Sequence, residues 1–398
     1  MNILQVYNQY RTPGGEWTVL NQEFELLKES HEVDQLVVDN REQLSSFYSR
    51  LRLIFNTHYN RDSKRWFYQK LMEKSYDIIH VHNFFPLLSP SIFDAARDAG
   101  VPTVMTLHNY RLIHPNGLMY YKGRIDERSV EGSAYRCVAD GVYRNSVLQT
   151  AVTAHMIEYH RRKGTWNSSP TAFIALSEFS KGKFVKGGLP EKKIFSKPNF
   201  IRDPLLEFEG LKLSEKKKKR ILYVGRISHE KGVQEMIRCW LKYEIPVELW
   251  IVGDGPMREK LQKSTENLQT VKWVGTKSRK EIFELLSESL ALLFPTLWYE
   301  GMPIVLLEAL AMGCPVISSE IGNPMAMIEH GKNGILFEPG NIEQLYGIIS
   351  GLLSDPSKLG VLGKNARATY IEKYTPSRNY EQLMEIYENA RQMESKRT

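Results

Sequence analysis

The chain of 398 residues is poor in cysteine, holds no apolar run near the length of a bilayer span, and is short of negative charge. Each shortage excludes something. Its three cysteines, Cys137, Cys239 and Cys314, are scattered without paired spacing, so they offer neither a disulfide framework nor a two-plus-two metal motif. A reducing compartment, the cytoplasm, is the natural one for such a chain. A membrane helix needs about 20 consecutive apolar residues, and none are present. The first residues, MNILQVYNQYRTPGGEW, pass from a short strand pattern straight into a glycine turn, so neither a transmembrane helix nor a signal peptide is expected. Hydrophobic content of 42% and charged content of 25% are those of a globular protein, and the length suits two domains of about 200 residues each.

The net charge of +7 is uneven: residues 1–200 carry 26 Lys and Arg against 20 Asp and Glu, and the remainder 27 against 26. Within the basic half, Arg50, Arg52, Arg61, Lys64, Arg65, Lys70 and Lys74 alternate with Phe47, Tyr48, Tyr59, Trp66, Phe67 and Tyr68. Region 47–74 therefore suits an anionic membrane surface, a phosphorylated acceptor or a single-stranded nucleic acid. A solvated helix face with its aromatics turned into the core has the same composition.

Short apolar strand patterns alternate with helical ones almost throughout. The segments 3–7, 35–39, 77–82, 103–108 and 173–176 read as buried strands, and Trp17, Leu20, Phe24 and Leu27 recur at helical spacing across 15–29. A second set occupies 220–226, 247–253, 271–275, 291–295 and 315–320. Such alternation predicts an α/β protein with two Rossmann-like, doubly wound parallel-sheet domains facing a cleft. The boundary is expected after KPNF at 197–200, giving domains 1–200 and 201–375, with a helix over 376–396 packing back on the first. Lys216–Lys219 reads as the solvated flank of the linker.

Doubly wound domains bind ligands outside the carboxyl ends of their strands, so the residues at those ends carry most of the information. Arg226 follows one strand, and Lys231-Gly232 opens the helix after it. Two cations and a helix N-terminus within one turn region form a clamp for a diphosphate. YEGMPIVLLEALAMG at 299–313 puts Glu300 and Glu308 on either side of Gly301 and Pro303. Pro303 fits the first helical position, so Glu300 precedes the helix and Glu308 lies inside it among apolar neighbours. A buried glutamate needs a partner, either a salt bridge or a ligand. Met302, Ile304 and Val305 have the amides that would face an anion, Pro303 having none to give. A carboxylate one turn further in, Glu308, suits a ribose diol, and Glu300 at the mouth suits a sugar hydroxyl beyond the phosphates.

Eight segments in order, PGGEWTV (13–19), TLHNYR (106–111), ALSEFSK (175–181), PNF (198–200), GRISHEKG (225–232), VGDGP (252–256), FPTLWYEGMPIVLLEALAMGCPV (294–316) and GKNGILFEPGN (331–341), resemble those of a family 4 retaining glycosyltransferase of the GT-B architecture. The Glu300 to Glu308 pair matches that family's E-x7-E motif. The resemblance implies an acceptor domain over 1–200 and a nucleotide-sugar donor domain over 201–375. It implies Arg226 and Lys231 on the donor diphosphate, Glu308 on the ribose, and Glu300 with His108 on the transferred sugar. Gly14 and Gly15 would approach the phosphates, Gly275 and Thr276 the base, and Asn109, Tyr110 and Arg111 the acceptor. Retention without an enzymic nucleophile is expected, by front-side displacement. No Asp-x-Asp occurs, so the carboxylate pair with which GT-A enzymes hold Mg²⁺ or Mn²⁺ is absent, and neither metal nor other cofactor is expected.

One departure stands out. Relatives with the HNYR segment often continue into a cysteine cluster, whereas here His114 replaces the first cysteine and only Cys137 survives, which removes the ground for a metal or disulfide role in loop 112–146. That loop reads as acceptor-side, with Tyr120, Tyr121 and Arg124 either meeting an acceptor or lying in solvent. The function expected is hexose transfer from a nucleotide sugar, UDP-glucose or a relative, to a saccharide, lipid-linked and at the cytoplasmic membrane face, in polysaccharide or glycoconjugate assembly. A phosphorylase or sucrose-synthesis-type transferase on soluble sugars is the second reading, and a non-catalytic basic binding protein the third. No nucleic acid partner is expected.

Overall fold

The computed structural model describes residues 1–9, 14–39 and 55–396. Positions 47–54 of the basic aromatic region, and Pro13, lie outside the described residues. The chain forms two compact units, one of residues up to 121, 126–199 and from 379 on, the other of 122–125 and 200–378.

The first unit is built on β1 (Asn2–Gln9), β2 (Glu32–Asp39), β3 (Ile78–Asn83) and β4 (Thr103–Leu107), followed after a small hairpin of β5 (Tyr120–Tyr121) and β6 (Arg124–Ile125) by β7 (Ala172–Ala175) and β8 (Ile194–Ser196). Its six-stranded sheet runs β2-β1-β3-β4-β7-β8, every pair parallel. Parallel strands are covered on both faces, which is why β3, β4 and β7 are buried at every position. Helix Gly15–Lys28 buries Val19, Leu20, Leu26 and Leu27 and, on the same face, Glu23. Ile3, Leu27, Ile78, Val104, Ala172 and Ile174 share a core with Leu383, Ile386, Tyr387 and Ala390 of helix Pro376–Ser395. Each such side chain contributes about 1.5–3 kcal/mol on burial, so the last helix is an integral part of the first unit.

The second unit repeats the plan with β9 (Lys218–Val224), β10 (Glu248–Val252), β11 (Val271–Gly275), β12 (Ser289–Phe294), β13 (Val316–Ser319) and β14 (Gly334–Phe337). The order β11-β10-β9-β12-β13-β14 is the 3-2-1-4-5-6 arrangement of a dinucleotide fold, again wholly parallel. Its core joins Ile221, Leu249, Ile251 and Leu293 to Met236, Ile237 and Trp240 of helix Val233–Lys242.

The two-residue strands β5 and β6, in a segment read as loop, and two edge strands of the large sheets, β8 and β14, escape the sequence reading. β8 spans three residues, too few to show a period, and β14 spans four and starts on a glycine. Two helix starts also differ from expectation. Pro303 is the N-cap of helix Ile304–Ala311, with φ −66° and ψ 117°, one position before the expected one. Lys231 ends a 3₁₀ turn, His229–Lys231, and Gly232 caps the helix that follows. Gly232 has φ +68°, and a Cβ there would stand 1.7 Å from the Pro295 carbonyl oxygen, so only glycine lets the turn after β9 lie against the end of β12.

Candidate functional site

In each sheet the strand order reverses at one place, between β1 and β3 in the first unit and between β9 and β12 in the second. A crevice opens beyond the carboxyl ends of strands at such a point, which makes it the place for a ligand. Gly14 and Gly15 follow β1, and Arg226, Lys231 and Glu300–Val305 follow β9 and β12 at these points, whereas His108–Arg111 follow β4 and Gly275 and Thr276 follow the outer strand β11.

In the second unit, the loop leaving β9 carries Arg226, exposed, and Lys231, partly exposed. The loop leaving β12 brings Glu300 to Lys231, with Nζ 2.7 Å from Oε1. Trp298 Nε1 and Thr296 Oγ1 donate to the same oxygen at 2.8 and 3.0 Å. Three donors thus converge on one oxygen of a carboxylate that is only 5% exposed, and Oε2 receives none of them. Asn323 Nδ2 fixes the loop by donating to the carbonyls of Glu300, at 2.9 Å, and Gly301. Met302 is buried, and Ile304 and Val305 form the partly exposed first turn of the helix.

Glu308 lies one turn into that helix and is buried; Arg279 Nε stands 3.6 Å from its Oε1. Arg279 also binds Glu207 at 2.8 Å, so one guanidinium serves two carboxylates. Burial pushes the Glu308 carboxyl up, and Arg279 offsets this only in part. Gly275 ends β11 with φ +77°, and Thr276 after it is exposed. The structure therefore gathers Arg226, Lys231, Glu300, Gly301–Val305 and Glu308 on the loops and helix following β9 and β12, while Gly275 and Thr276 follow the outer strand.

In the first unit, Gly14 caps helix Gly15–Lys28, and both glycines are exposed. The next residue, Glu16, accepts a hydrogen bond from Asn109 Nδ2 at 2.9 Å through Oε1. Its Oε2 is buried and meets no hydrogen-bond donor among the described residues. Burial pushes the Glu16 carboxyl up to about 6, against the pull of Asn109 and Arg111. Arg111 lies between the rings of Phe85 and Tyr143, its guanidinium carbon 4.7 and 4.5 Å from their centres, and donates to the Pro115 carbonyl. Tyr110, expected to face an acceptor, is instead buried with its ring stacked on Phe184 at 5.4 Å; an apolar ring beside an apolar helix face gains more inside than out.

His108 follows β4 and is 8% exposed. Its Nε2 lies 3.0 Å from His82 Nδ1. Beyond His82, Glu23 gathers His80, His82 and Lys197 at 2.9, 3.2 and 3.3 Å. This environment holds Glu23 well below the usual carboxylate range despite its burial, and burial holds His108 well below the usual imidazole range. Sequence reasoning missed Glu16, Glu23, His82, Lys197, Arg279 and Asn323. Glu23 was the most legible of these, an acid between Leu20 and Leu27 on an apolar stripe; Arg279 has no local signature.

Two buried clusters hold metal-ligand residue types, Glu23 with His80 and His82, and His114 with Asp126 and Cys137. In the first, the Lys197 ammonium supplies the cation. In the second, Arg128 pairs with Asp126 through two hydrogen bonds of 2.8 Å, which holds the aspartate low, while burial pushes the Cys137 thiol up to about 11. The remnant of the expected cysteine cluster is thus closed by a guanidinium.

Comparison with known proteins bears on the family and the fold. Residues 14–176 match the family described as glycosyl transferase 4-like domain, and residues 208–369 match glycosyl transferases group 1. The amylovoran biosynthesis glycosyltransferase AmsK of Erwinia amylovora is 29% identical over 256 residues, 59% of this chain and 60% of that one. The lipopolysaccharide 1,6-galactosyltransferase of Salmonella typhimurium is 34% identical over 144 residues, 34% and 40% of the two chains. The chain spans about half the length of the curated relatives it matches, between 31% and 61%. Among solved structures, Anabaena HepE in complex with UDP superposes with a TM-score of 0.65 at 19% identity, covering 97% of this chain and 99% of that one. With one family matched across each unit, and with the fold of HepE repeated over nearly the whole chain, this protein belongs to the group 1, family 4-type glycosyltransferases of the GT-B fold.

Proposed function

We propose that the protein is a retaining hexosyltransferase that takes a sugar from a nucleotide sugar, UDP-glucose or a related UDP-hexose, and passes it to a lipid-linked saccharide in polysaccharide or glycoconjugate assembly. The observation that carries this reading is the Lys231–Glu300 pair at the strand-order reversal of the second unit, with Glu308 one turn into the adjoining helix. Arg226 and Lys231 hold the diphosphate and stabilise the charge that develops on it as the sugar leaves. Glu308 takes the ribose hydroxyls, which supply the donors its buried carboxylate lacks. Glu300 offers Oε2 to a sugar hydroxyl while its three neighbours hold Oε1. Gly14 and Gly15 leave the N-terminal amides of their helix open to phosphate. In the transfer step the acceptor hydroxyl oxygen bonds to the anomeric carbon as the bond from that carbon to the diphosphate breaks, and the departing phosphate oxygen takes the acceptor proton. No enzymic nucleophile takes part, and the side-chain cations act where a metal ion acts in GT-A enzymes.

The complex of HepE with UDP supports the choice of base, and the names of the amylovoran and lipopolysaccharide enzymes support the acceptor class. Helix Arg61–Glu73 supports a membrane-surface location: it buries Phe67 and Leu71 and exposes Trp66, Tyr68 and Met72 beside Arg61, Arg65 and Lys70. No helix among the described residues is long and apolar enough to cross a membrane. The test is thermal stabilisation by UDP, GDP and ADP and their sugar conjugates, with and without EDTA, followed by turnover of the stabilising conjugate. A ligand at about 100 times its dissociation constant adds roughly 2.7 kcal/mol, a readable shift. Selective stabilisation by a uridine nucleotide in EDTA is expected. Stabilisation that needs Mn²⁺, or none by any nucleotide, would overturn the assignment, and flotation without preference for anionic liposomes would remove the membrane surface from it.

A further inference from the structure

We infer that Glu23 and His82 are positioning residues that fix the tautomer of His108, so that His108 presents Nδ1 as a hydrogen-bond acceptor. The inference rests on the proposed role of His108 toward the transferred sugar and adds how that role is enforced from inside the first unit.

Glu23 is ionised, since Lys197 Nζ, His80 and His82 all surround it. Gln5 Nε2 also donates to its Oε1, at 3.3 Å, and Lys197 is held from the other side by Asn379 Oδ1 at 2.9 Å. An ionised carboxylate only accepts. His80 has both nitrogens engaged, Nε2 with Thr106 Oγ1 at 2.7 Å and Nδ1 with Tyr387 OH at 2.7 Å and Glu23 Oε1. His82 Nε2 makes no hydrogen bond among the described residues, but Glu23 Oε1 stands 3.2 Å from it. A bare lone pair on His82 Nε2 would face the carboxylate and be repelled, whereas an N–H there is attracted. The proton of His82 therefore sits on Nε2, and Nδ1 is an acceptor.

That leaves one solution for the next contact. His82 Nδ1 and His108 Nε2 are 3.0 Å apart, so one must donate, and the donor is His108 Nε2–H. A neutral imidazole has one N–H, so His108 Nδ1 carries the lone pair. His108 stays neutral, because burial and the neighbouring imidazoles oppose a second proton on it. His108 also lines a pocket of about 20 Å³ with Phe85, Asn109 and Arg111, room for one water or one hydroxyl. A histidine that accepts distinguishes a ligand hydroxyl, which can donate, from a ligand carbonyl or ether oxygen, which cannot.

The experiment is ¹⁵N-histidine labelling with long-range ¹H–¹⁵N correlation of the unliganded protein at pH 7.5, His108 being assigned by its loss in His108→Gln. Expected is a protonated Nε2 and a bare Nδ1; an N–H at Nδ1, or an imidazolium, overturns the inference. This readout needs no turnover, so it stands apart from failure of the glycosyltransferase reading. With a turned-over donor, His82→Phe should lower kcat/KM by about 10–100-fold, within the coupling expected of residues in one hydrogen-bond network, yet by less than about threefold in a His108→Ala background. Equal losses in both backgrounds would mean that His82 does not act through His108. Should His82→Phe melt well below the wild type, His82→Gln gives the same comparison with a polar group in place.

Discussion

Replacing Glu16 with glutamine is expected to stabilise the first unit at alkaline pH, although it removes a charged group from a conspicuous position. Glu16 has one carboxylate oxygen on Asn109 and the other buried with no donor among the described residues. Its folded pKa is about 6 against an ordinary 4.5, a raised value. The folded state therefore binds this proton more tightly than the unfolded state, so the stabilising contribution is complete below pH 4.5 and is lost as pH rises through 6. The difference of about 1.5 pK units corresponds to about 2 kcal/mol. Linkage puts roughly 1.3 kcal/mol of this between pH 5 and pH 8. The amide of the Glu16→Gln variant keeps an oxygen for Asn109 and has no proton to lose, so the variant escapes the penalty. Thermal melts at both pH values should show the variant gaining on the wild type by about 1 kcal/mol between pH 5 and 8, or about 3 °C for a unit of this size. A difference between the two proteins that does not change with pH, or a Glu16→Gln protein less stable than the wild type at pH 8, would show that the carboxylate is well paired as the anion. Turnover assayed in parallel should fall in the variant, if the vacant oxygen is where an acceptor hydroxyl binds.

Lys231→Ala strips the buried Glu300 of its cation and leaves it with two neutral donors; a loss of 1–3 kcal/mol by urea melt and a fall in turnover of about 10²–10³-fold are expected. An active Lys231→Ala would remove the diphosphate clamp from the mechanism. Arg279→Gln leaves Glu308 and Glu207 without their shared guanidinium; since Arg279 is what holds the raised Glu308 carboxyl down, the stability loss should be larger at pH 8 than at pH 5, about 1–3 kcal/mol at pH 8. Equal losses at the two pH values would mean that Glu308 does not feel Arg279. Gly232→Ala sets a methyl against the Pro295 backbone at a positive φ and should destabilise the second unit by more than about 3 kcal/mol; a variant that melts with the wild type would refute the close approach.

The fold was legible because parallel sheets demand continuous apolar strands, and ten of the twelve strands in the two six-stranded sheets announce themselves that way. The other two are short edges whose pairing is decided by neighbours far off in sequence. The residues proposed for the second unit were picked out for a related reason: Arg226, Lys231 and Glu300 stand at element ends and Glu308 one turn into a helix, where local rules of glycine, proline and helix polarity operate. The first unit's polar interior was not. Lys197 reaches Glu23 across 174 residues, and Asn379 reaches Lys197 across 182, so no window of sequence holds the network. Tyr110 shows the converse error, in which membership of a loop motif suggests exposure; its ring is inside because Phe184 is there to meet it.

Four glutamates on these loops and helices show how one residue type is assigned different work by its surroundings. Glu23 is as buried as any, yet Lys197 and two histidines hold it as an anion, so it has nothing left to offer a ligand and acts on its neighbours. Glu300 is saturated at one oxygen and receives none of those donors at the other, a geometry that fixes the side chain before a ligand arrives. Glu16, whose Oε2 is buried, and the buried Glu308 meet too few donors among the described residues, and burial pushes both upward. A buried acceptor without donors destabilises the folded chain, and a ligand hydroxyl that supplies the missing donor recovers that energy on binding. Sequence position alone would rank Glu300 and Glu308 together and overlook Glu16. The count of donors around each carboxylate separates them, and it places the two unfinished carboxylates one in each unit, where a donor nucleoside and an acceptor saccharide would each find one.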